Sequence, residues 1–306
     1  MSAAELRERL SGVTAVPVTP FAPGGETIDQ AALEALLSRI DASGVHAITT
    51  LGTTGEVFQL STPERRQVIR VAAAVRTNAV LLAGLAGPLS DMLEIAAWAA
   101  EHNFDGVMIH EPADPGGSAE GLVKLFHAVA SESTLPVVPY VRTPRLDDGG
   151  LRELVAHPNV VAVKYSVPDL ERASALMKHS DLADRTLWLC GLAETWVPAF
   201  VHLGMRGFTS GLANVEPALA LAMLSAVQRG DSASVDELLG LIVPFETLRN
   251  RNQGRHNVAV IKAALAGAGS MEPDVRPPAA QLDAATQAEL ALVLDEWSSY
   301  LVGARS

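Results

Sequence analysis

Residues 159–166 read Asn-Val-Val-Ala-Val-Lys-Tyr-Ser, four apolar residues followed at once by Lys164. A run of this length and composition suits a strand buried on both faces. A buried strand that finishes on a lysine needs a reason, and the reason bears on both the fold and the chemistry.

Seven further short β-prone runs occur along the chain: Val13–Val18, Ala47–Leu51, Val80–Ala83, Gly106–His110, Pro136–Tyr140, Leu187–Cys190 and Gly207–Ser210. Stretches with 3.6-residue spacing alternate with them: Asp29–Asp41, Pro63–Thr77, Ser90–Glu101, Ala119–Ala130, Gly149–Ala156, Asp169–His179, Thr195–Leu203 and Glu216–Arg229. Several begin on cap signals, such as Ser61-Thr-Pro-Glu64 and Ser90-Asp91. Eight strand–helix units predict an α/β fold, a (β/α)8 TIM barrel. The competing doubly wound sheet normally carries a glycine-rich turn after its first strand, and Pro17-Val-Thr-Pro-Phe21 does not supply one. Segments 232–248, 257–266 and 284–302 read as further helices, joined by a proline-rich link at 272–278. The predicted division is a catalytic barrel over residues 1–230 and a C-terminal helical extension over 231–306.

Composition narrows the function. The chain has 306 residues, is 48% hydrophobic and carries a net charge of −12, which argues against nucleic acid or an anionic membrane as partner. Its one cysteine, Cys190, cannot form a disulfide within the chain, which fits a cytoplasmic protein. The first residues, MSAAELRERLSG, are polar and amphipathic, and neither a signal peptide nor a membrane span is expected.

Barrel active sites lie at the C-terminal ends of the strands, so the residues just after each apolar run are the candidates. Lysine is rare here, with only Lys124, Lys164, Lys178 and Lys262 among 23 basic residues. The other three fall inside helical patterns, where a lysine can be solvated or can snorkel. A free lysine is neutral in only about 4 in 10,000 molecules at pH 7. Burial in a barrel mouth lowers the pKa and exposes a nucleophilic amine. The competing reading is a strand-end lysine paired with a carboxylate. Tyr140 ends the neighbouring run and could carry protons for such an amine, or could simply pack at the rim. Gly52-Thr53-Thr54-Gly55-Glu56 is a tight turn with two hydroxyls and exposed N–H groups, suited to a carboxylate. His110, Glu111 and Asp114 follow the fourth run, Arg142 and Arg145 the fifth, Gly191 and Glu194 the seventh. Glu194 reads better as a helix cap than as a ligand. His110 and Glu111 should point to opposite faces, and no histidine has metal-ligand spacing, so neither metal nor cofactor is expected.

Taken in order, Gly52-Thr-Thr-Gly-Glu56, Tyr140, Lys164 within VVAVKYS, and Gly207-Phe-Thr-Ser-Gly-Leu-Ala-Asn-Val215 resemble the dihydrodipicolinate synthase / N-acetylneuraminate lyase family. The resemblance runs from about Gly12 to Gly267 and includes Asn257-Val-Ala-Val-Ile-Lys262. It implies a barrel with a helical extension, assembled as a homotetramer, that holds a small-molecule 2-keto acid as a Schiff base on Lys164. Tyr140 would relay protons. Thr53 and Thr54 would hold the carboxylate and join the relay, and Thr209 would line the pocket through its backbone. Arg142, Gly191, His110 and Asp114 complete the candidate substrate-binding set. No role is assigned to Arg145, Glu111 or His256.

The chain also departs from the family. The synthase branch carries Tyr-Asn-x-Pro-x-Arg-Thr-Gly around its tyrosine, where this chain has Tyr140-Val-Arg-Thr-Pro-Arg145, and the stretch from Tyr140 to Lys164 is about four residues shorter. A tyrosine pair of that branch falls on Ala113 and Asp114. An arginine two residues past the tyrosine is closer to the branch that dehydrates keto-deoxy sugar acids. The expected activity is therefore a metal-free, Schiff-base-forming aldolase or dehydratase of a 2-keto-3-deoxy sugar acid. The alternatives are the synthase that joins pyruvate to aspartate semialdehyde, and a barrel that binds a keto acid without turning it over.

Overall fold

A computed structural model describes residues 1–114 and 116–305. Eight parallel strands close into one barrel in sequence order. They are β1 (Val13–Ala15), β2 (Ala47–Thr50), β3 (Val80–Leu85), β4 (Gly106–His110), β5 (Val137–Val141), β6 (Ala162–Tyr165), β7 (Leu187–Cys190) and β8 (Phe208–Ser210). Before the barrel stands α1 (Ala3–Leu10). Around it run α2 (Gln30–Ala42), α3 (Thr62–Val75), α4 (Leu89–Glu101), α5 (Ala119–Glu132), α6 (Asp148–Ala156), α7 (Leu170–Lys178), α8 (Ser180–Ala183), α9 (Val197–His202) and α10 (Pro217–Arg229). Three longer elements follow: α11 (Ser232–Gly254), α12 (Asn257–Gly267) and α13 (Ala284–Arg305). The TIM-barrel expectation holds, with strand ends shifted by a few residues. β1 stops at Ala15, and the Val16 N–H, donated to the Ser210 carbonyl, carries its pairing with β8 one bond further.

Two apolar layers follow from strand alternation. Val107, Ile109, Val137, Val163 and Phe208 pack outward against the helices. Ala47, Val80, Leu82, Met108, Val138, Ala162, Leu187 and Leu189 fill the barrel. The inner layer is closed from below by α1, whose Leu6 and Leu10 belong to the same cluster. Ser2 and Glu5 form a reciprocal cap at the start of α1, and Arg7 Nε donates to the Val161 carbonyl at 3.0 Å. The amphipathic N-terminus is thus the barrel's floor.

The last helices reach back to the mouth of the barrel. Lys262 of α12, expected to be solvated or snorkelling, is instead fully buried. Its Nζ lies 2.6 Å from Glu56 Oε1 and donates to the Asp274 carbonyl at 2.8 Å. Burial pushes its pKa down to about 8, against the opposing pull of Glu56. The other oxygen of Glu56 accepts the Arg276 N–H at 2.8 Å. The Arg276 guanidinium bonds Gly25, Glu26 and Gln59 carbonyls and the Glu64 carboxylate. Phe21 carries both cations on its ring, at 3.9 and 4.2 Å. Glu56, in a left-handed conformation at φ 56°, ends the Gly52–Glu56 turn, so this network holds the turn from behind. Removing one partner of such a buried pair costs about 3–5 kcal/mol.

Candidate active site

Four inward-facing positions at the tops of neighbouring strands make the centre of the site. His110, Tyr140 and Lys164 stand side by side across β4, β5 and β6, since His110 pairs with Tyr140 and Tyr140 with Lys164 in the ladders. Gly191 follows β7 next to Cys190, which packs outward. The Lys164 Nζ lies 3.9 Å from the centre of the Tyr140 ring. The Tyr140 and His110 rings meet edge to face, 5.4 Å between centres.

A side chain at residue 191 would close this arrangement. A Cβ there would stand 1.9 Å from Ser166 Oγ and 2.9–3.0 Å from Lys164 Cγ and Cε. Glycine is what lets the lysine stem lie across the end of β7.

The electrostatics favour a reactive amine. Burial pushes the Lys164 amine below the usual lysine range; Tyr140 pulls it back, and Arg142 adds to the lowering. Burial alone would raise the Tyr140 phenol, but Lys164 and Arg142 outweigh it, and the net direction is down. No carboxylate pairs with Lys164 among the described residues, so the reading of a strand-end lysine held in an ion pair is not what the structure shows. His110 is buried, and burial, reinforced by the Lys164 charge, lowers its pKa to about 3. The ring is therefore neutral at physiological pH. Its Nε2 faces the Leu51 carbonyl at 3.2 Å. A carbonyl only accepts, so Nε2 carries the proton and Nδ1 is left as an acceptor without a partner among the described residues.

The Gly52–Glu56 turn closes one side. Leu51 takes φ 56°, and its carbonyl passes so close to Gly84 that a Cβ there would be 2.0 Å from it. Thr54 is buried, and the Thr53 hydroxyl is buried without a partner among the described residues. Across the barrel Thr209 is buried beside Thr14, its ladder partner. Phe208 points outward, so Thr209 faces in.

The loop after β5 overhangs this cluster. Arg142 is exposed, with its guanidinium carbon 5.6 Å from the Tyr140 ring centre. Neither Asp147 nor Asp148 holds it. Asp147 caps α6 by accepting the Gly150 N–H, and Asp148 faces His179. Asp114 is not brought into the cluster: it is exposed and accepts the Gly116 N–H within its own loop. Glu111 and His110 do diverge. The Glu111 carboxylate turns away from the barrel axis to the backbone of Arg142 and Thr143.

Glu194, expected from the sequence to cap a helix, does not: the turn it starts and the helix that follows are capped by Ala193 and Trp196, without a side-chain bond. Glu194 is fully buried at the start of a 3-10 turn and accepts the Ser210 hydroxyl. Burial and the nearby Glu246 raise its pKa to about 7. Glu246 is itself ion-paired with Arg249, which also donates to Asn257. Among the described residues, no three His, Cys, Asp or Glu side chains are grouped to hold a metal ion. None of the described helices is long and apolar enough to cross a membrane.

A closed eight-stranded barrel whose C-terminal mouth holds a buried lysine beside a tyrosine, with no carboxylate paired to that lysine among the described residues, fits the class of TIM-barrel lyases. More particularly, the chain belongs to the dihydrodipicolinate synthetase family, whose sequence profile matches residues 9–296. It is 31% identical over 301 residues to a Rhizobium rhizogenes protein named "Probable 5-dehydro-4-deoxyglucarate dehydratase", covering 96% of this chain and 98% of the relative. A Methylobacterium radiotolerans protein of the same name is 31% identical over 305 residues, covering 97% and 98%. Among solved structures, the dihydrodipicolinate synthase of Bacillus clausii superposes with a TM-score of 0.92 at 31% identity, covering 96% of this chain and 99% of that one. That of Oceanobacillus iheyensis gives 0.93 at 29% identity, covering 97% and 100%.

Proposed function

We propose that this protein dehydrates a 2-keto-3-deoxy sugar acid through a Schiff base on Lys164. The observation that carries this reading is the buried Lys164 amine set against Tyr140, with no carboxylate partner among the described residues. In this reading the free amine attacks the keto carbon and water leaves to give an iminium. The iminium draws electrons from the neighbouring CH2, which gives up a proton, and hydroxide departs from the carbon beyond. Tyr140 carries the proton between these atoms. Thr53 and Thr54 hold the carboxylate next to the ketone, in keeping with a Thr53 hydroxyl that lacks a partner among the described residues. Hydrolysis of the imine frees the product and Lys164.

The relatives' name points to the substrate class: a six-carbon acid with a carboxylate at each end and the ketone beside one of them. Arg142, above Tyr140, suits the far carboxylate. His110 Nδ1 suits a substrate hydroxyl. The synthase alternative is disfavoured because Ala113 and Asp114 stand where that branch has tyrosines.

The test is a panel of 2-keto-3-deoxy mono- and diacids, following substrate loss and pyruvate release in parallel. Turnover of a diacid without pyruvate supports dehydration. Pyruvate release would mean aldol cleavage, and efficient condensation of pyruvate with aspartate semialdehyde would restore the synthase reading. We further propose a cytoplasmic homotetramer, with residues 1–230 as the catalytic barrel and 231–306 as an appended helical unit. Light scattering in solution tests the assembly.

A further inference from the structure

The loop that carries Arg142 is held by one buried carboxylate from the neighbouring strand. Glu111, the first residue after β4, is almost wholly buried. Its Oε2 accepts the N–H of Arg142 at 2.6 Å and the N–H of Thr143 at 3.0 Å. Its Oε1 accepts the Thr143 hydroxyl and lies 4.0 Å from Arg145 Nε. Two consecutive backbone donors on a single oxygen fix the backbone at the point where the chain leaves β5. On the far side of the same loop, the Arg172 guanidinium of α7 bonds the Pro144 and Leu146 carbonyls.

From this geometry we infer that Glu111 is a positioning residue for substrate, acting through the backbone of Arg142 without itself reaching the pocket. His110 and Glu111 are adjacent and point opposite ways, one into the barrel mouth and one into the loop. The residue pair at the end of β4 therefore serves both the floor and the overhang of the site. A guanidinium on a long, exposed side chain has wide freedom. What restricts it is the direction in which its Cα projects, and the Glu111 clamp sets that direction. Buried N–H groups robbed of their acceptor must find water or shift, so losing the carboxylate should release the loop as far as the Arg172 bonds allow.

The inference rests on the proposed role of Arg142, and two readouts keep the two apart. The first needs no substrate: hydrogen exchange of the peptide spanning residues 139–147. In Glu111→Ala the amides of this segment should exchange at least ~10-fold faster than in wild type; unchanged exchange would overturn the clamp. The second is kinetic, on the best acid from the substrate panel. Glu111→Ala should raise KM on the order of tenfold and leave the yield of the borohydride-reduced pyruvate adduct unchanged. In a double-mutant cycle, Glu111→Ala should add little to Arg142→Ala, because its effect passes through that residue. Faster exchange with an unchanged KM, or a cost as large in the Arg142→Ala background as in wild type, would overturn positioning through Arg142. Should Glu111→Ala fail to fold, Glu111→Gln serves. It keeps one accepting oxygen for the two N–H groups but loses the charge, so the same shifts are expected at smaller size, and none at all would count against the inference. If wild type forms no adduct with any 2-keto acid, the functional reading falls while the exchange result still decides the clamp.

Discussion

Lys164 and Tyr140 are ladder partners on β6 and β5, and the lysine Nζ sits 3.9 Å from the centre of the tyrosine ring. Burial of the amine in this position lowers its pKa, which raises the fraction present as a nucleophile. With a 2-keto acid and borohydride, a reduced adduct is expected on the peptide containing Lys164 and on no other lysine. Lys262 is the instructive control, since it too is buried with a lowered pKa but is tied to Glu56. Mass spectrometry of the digest decides the matter, and an adduct on Lys124, Lys178 or Lys262 would refute the assignment.

The proposed proton carrier is tested at the same contact. Tyr140→Phe keeps the ring against Lys164 and His110 and removes only the hydroxyl. Turnover should fall by roughly 10²–10⁴, the usual share of a general acid–base group, while adduct formation with pyruvate stays measurable. Turnover within about threefold of wild type would leave Tyr140 a packing residue.

Gly191→Ala tests the lysine's path. The new methyl would sit 1.9 Å from Ser166 Oγ and 2.9 Å from Lys164 Cγ, so the Ser166 hydroxyl must turn away and the Lys164 stem must give. A displacement of about 1 Å at a reacting atom costs on the order of 10²-fold. The expected result is a folded barrel, checked by circular dichroism, with activity reduced by at least that factor. Near-normal activity would mean that the amine is not held along this route.

Much of this was readable in the sequence, for a physical reason. Each strand is a short apolar run, each helix has its own period, and the barrel places consecutive strands side by side. The end of VVAVKYS and the end of the run before it were therefore bound to be neighbours, and Tyr140 and Lys164 are. What could not be read depends on pairs far apart in the chain. Glu56 meets Lys262 and Arg276 more than 200 positions away; the apolar residues on either side of Lys262, Val258–Ile261 and Ala263–Leu265, hint that its helix is buried but not what the amine meets there. Helix α1 is hard to read from the sequence for a different reason. Its signals were present, a Ser2-to-Glu5 cap and Leu6 and Leu10 one turn apart, but two leucines in a polar segment do not say what they cover. Asp114 and Arg142 both lie on loops, where sequence gives position along the chain but not direction. One of them turns into its own loop, the other over the tyrosine.

His110 makes stability depend on acid. Its pKa is about 3 in the folded protein and about 6.5 when unfolded. Between these values the unfolded chain binds the extra proton, so stability falls as pH drops through that window and the contribution is intact above it. The slope is at most about 1.4 kcal/mol per pH unit. Urea melts at several pH values should show His110→Asn losing less stability than wild type between pH 6.5 and 3. Parallel curves for the two proteins would refute a buried neutral imidazole.

Arg142 is the residue by which this barrel should choose its substrate. Its guanidinium stands 5.6 Å from the Tyr140 ring centre, and the two aspartates of its own loop are engaged elsewhere, Asp147 with the Gly150 N–H and Asp148 with His179. A cation near the proposed reacting centre, with no carboxylate in hydrogen-bond reach among the described residues, suits a ligand that brings its own. Guanidinium binds a carboxylate through two parallel hydrogen bonds, among the stronger polar contacts available to a protein. In the proposed reading, a keto-deoxy diacid would offer one carboxylate to the Thr53–Thr54 turn and the other to Arg142, with the ketone facing Lys164 between them. Arg142→Ala should then lower kcat/KM for the diacid by about 2 kcal/mol, on the order of 30-fold. Imine formation with pyruvate, which has no second carboxylate, should hardly change. Arg142→Lys keeps the charge but loses the planar fork, so it should recover only part of the loss. A variant lacking Arg142 that handles diacids and pyruvate as wild type does would remove the arginine from the specificity argument and leave the lysine–tyrosine chemistry standing alone.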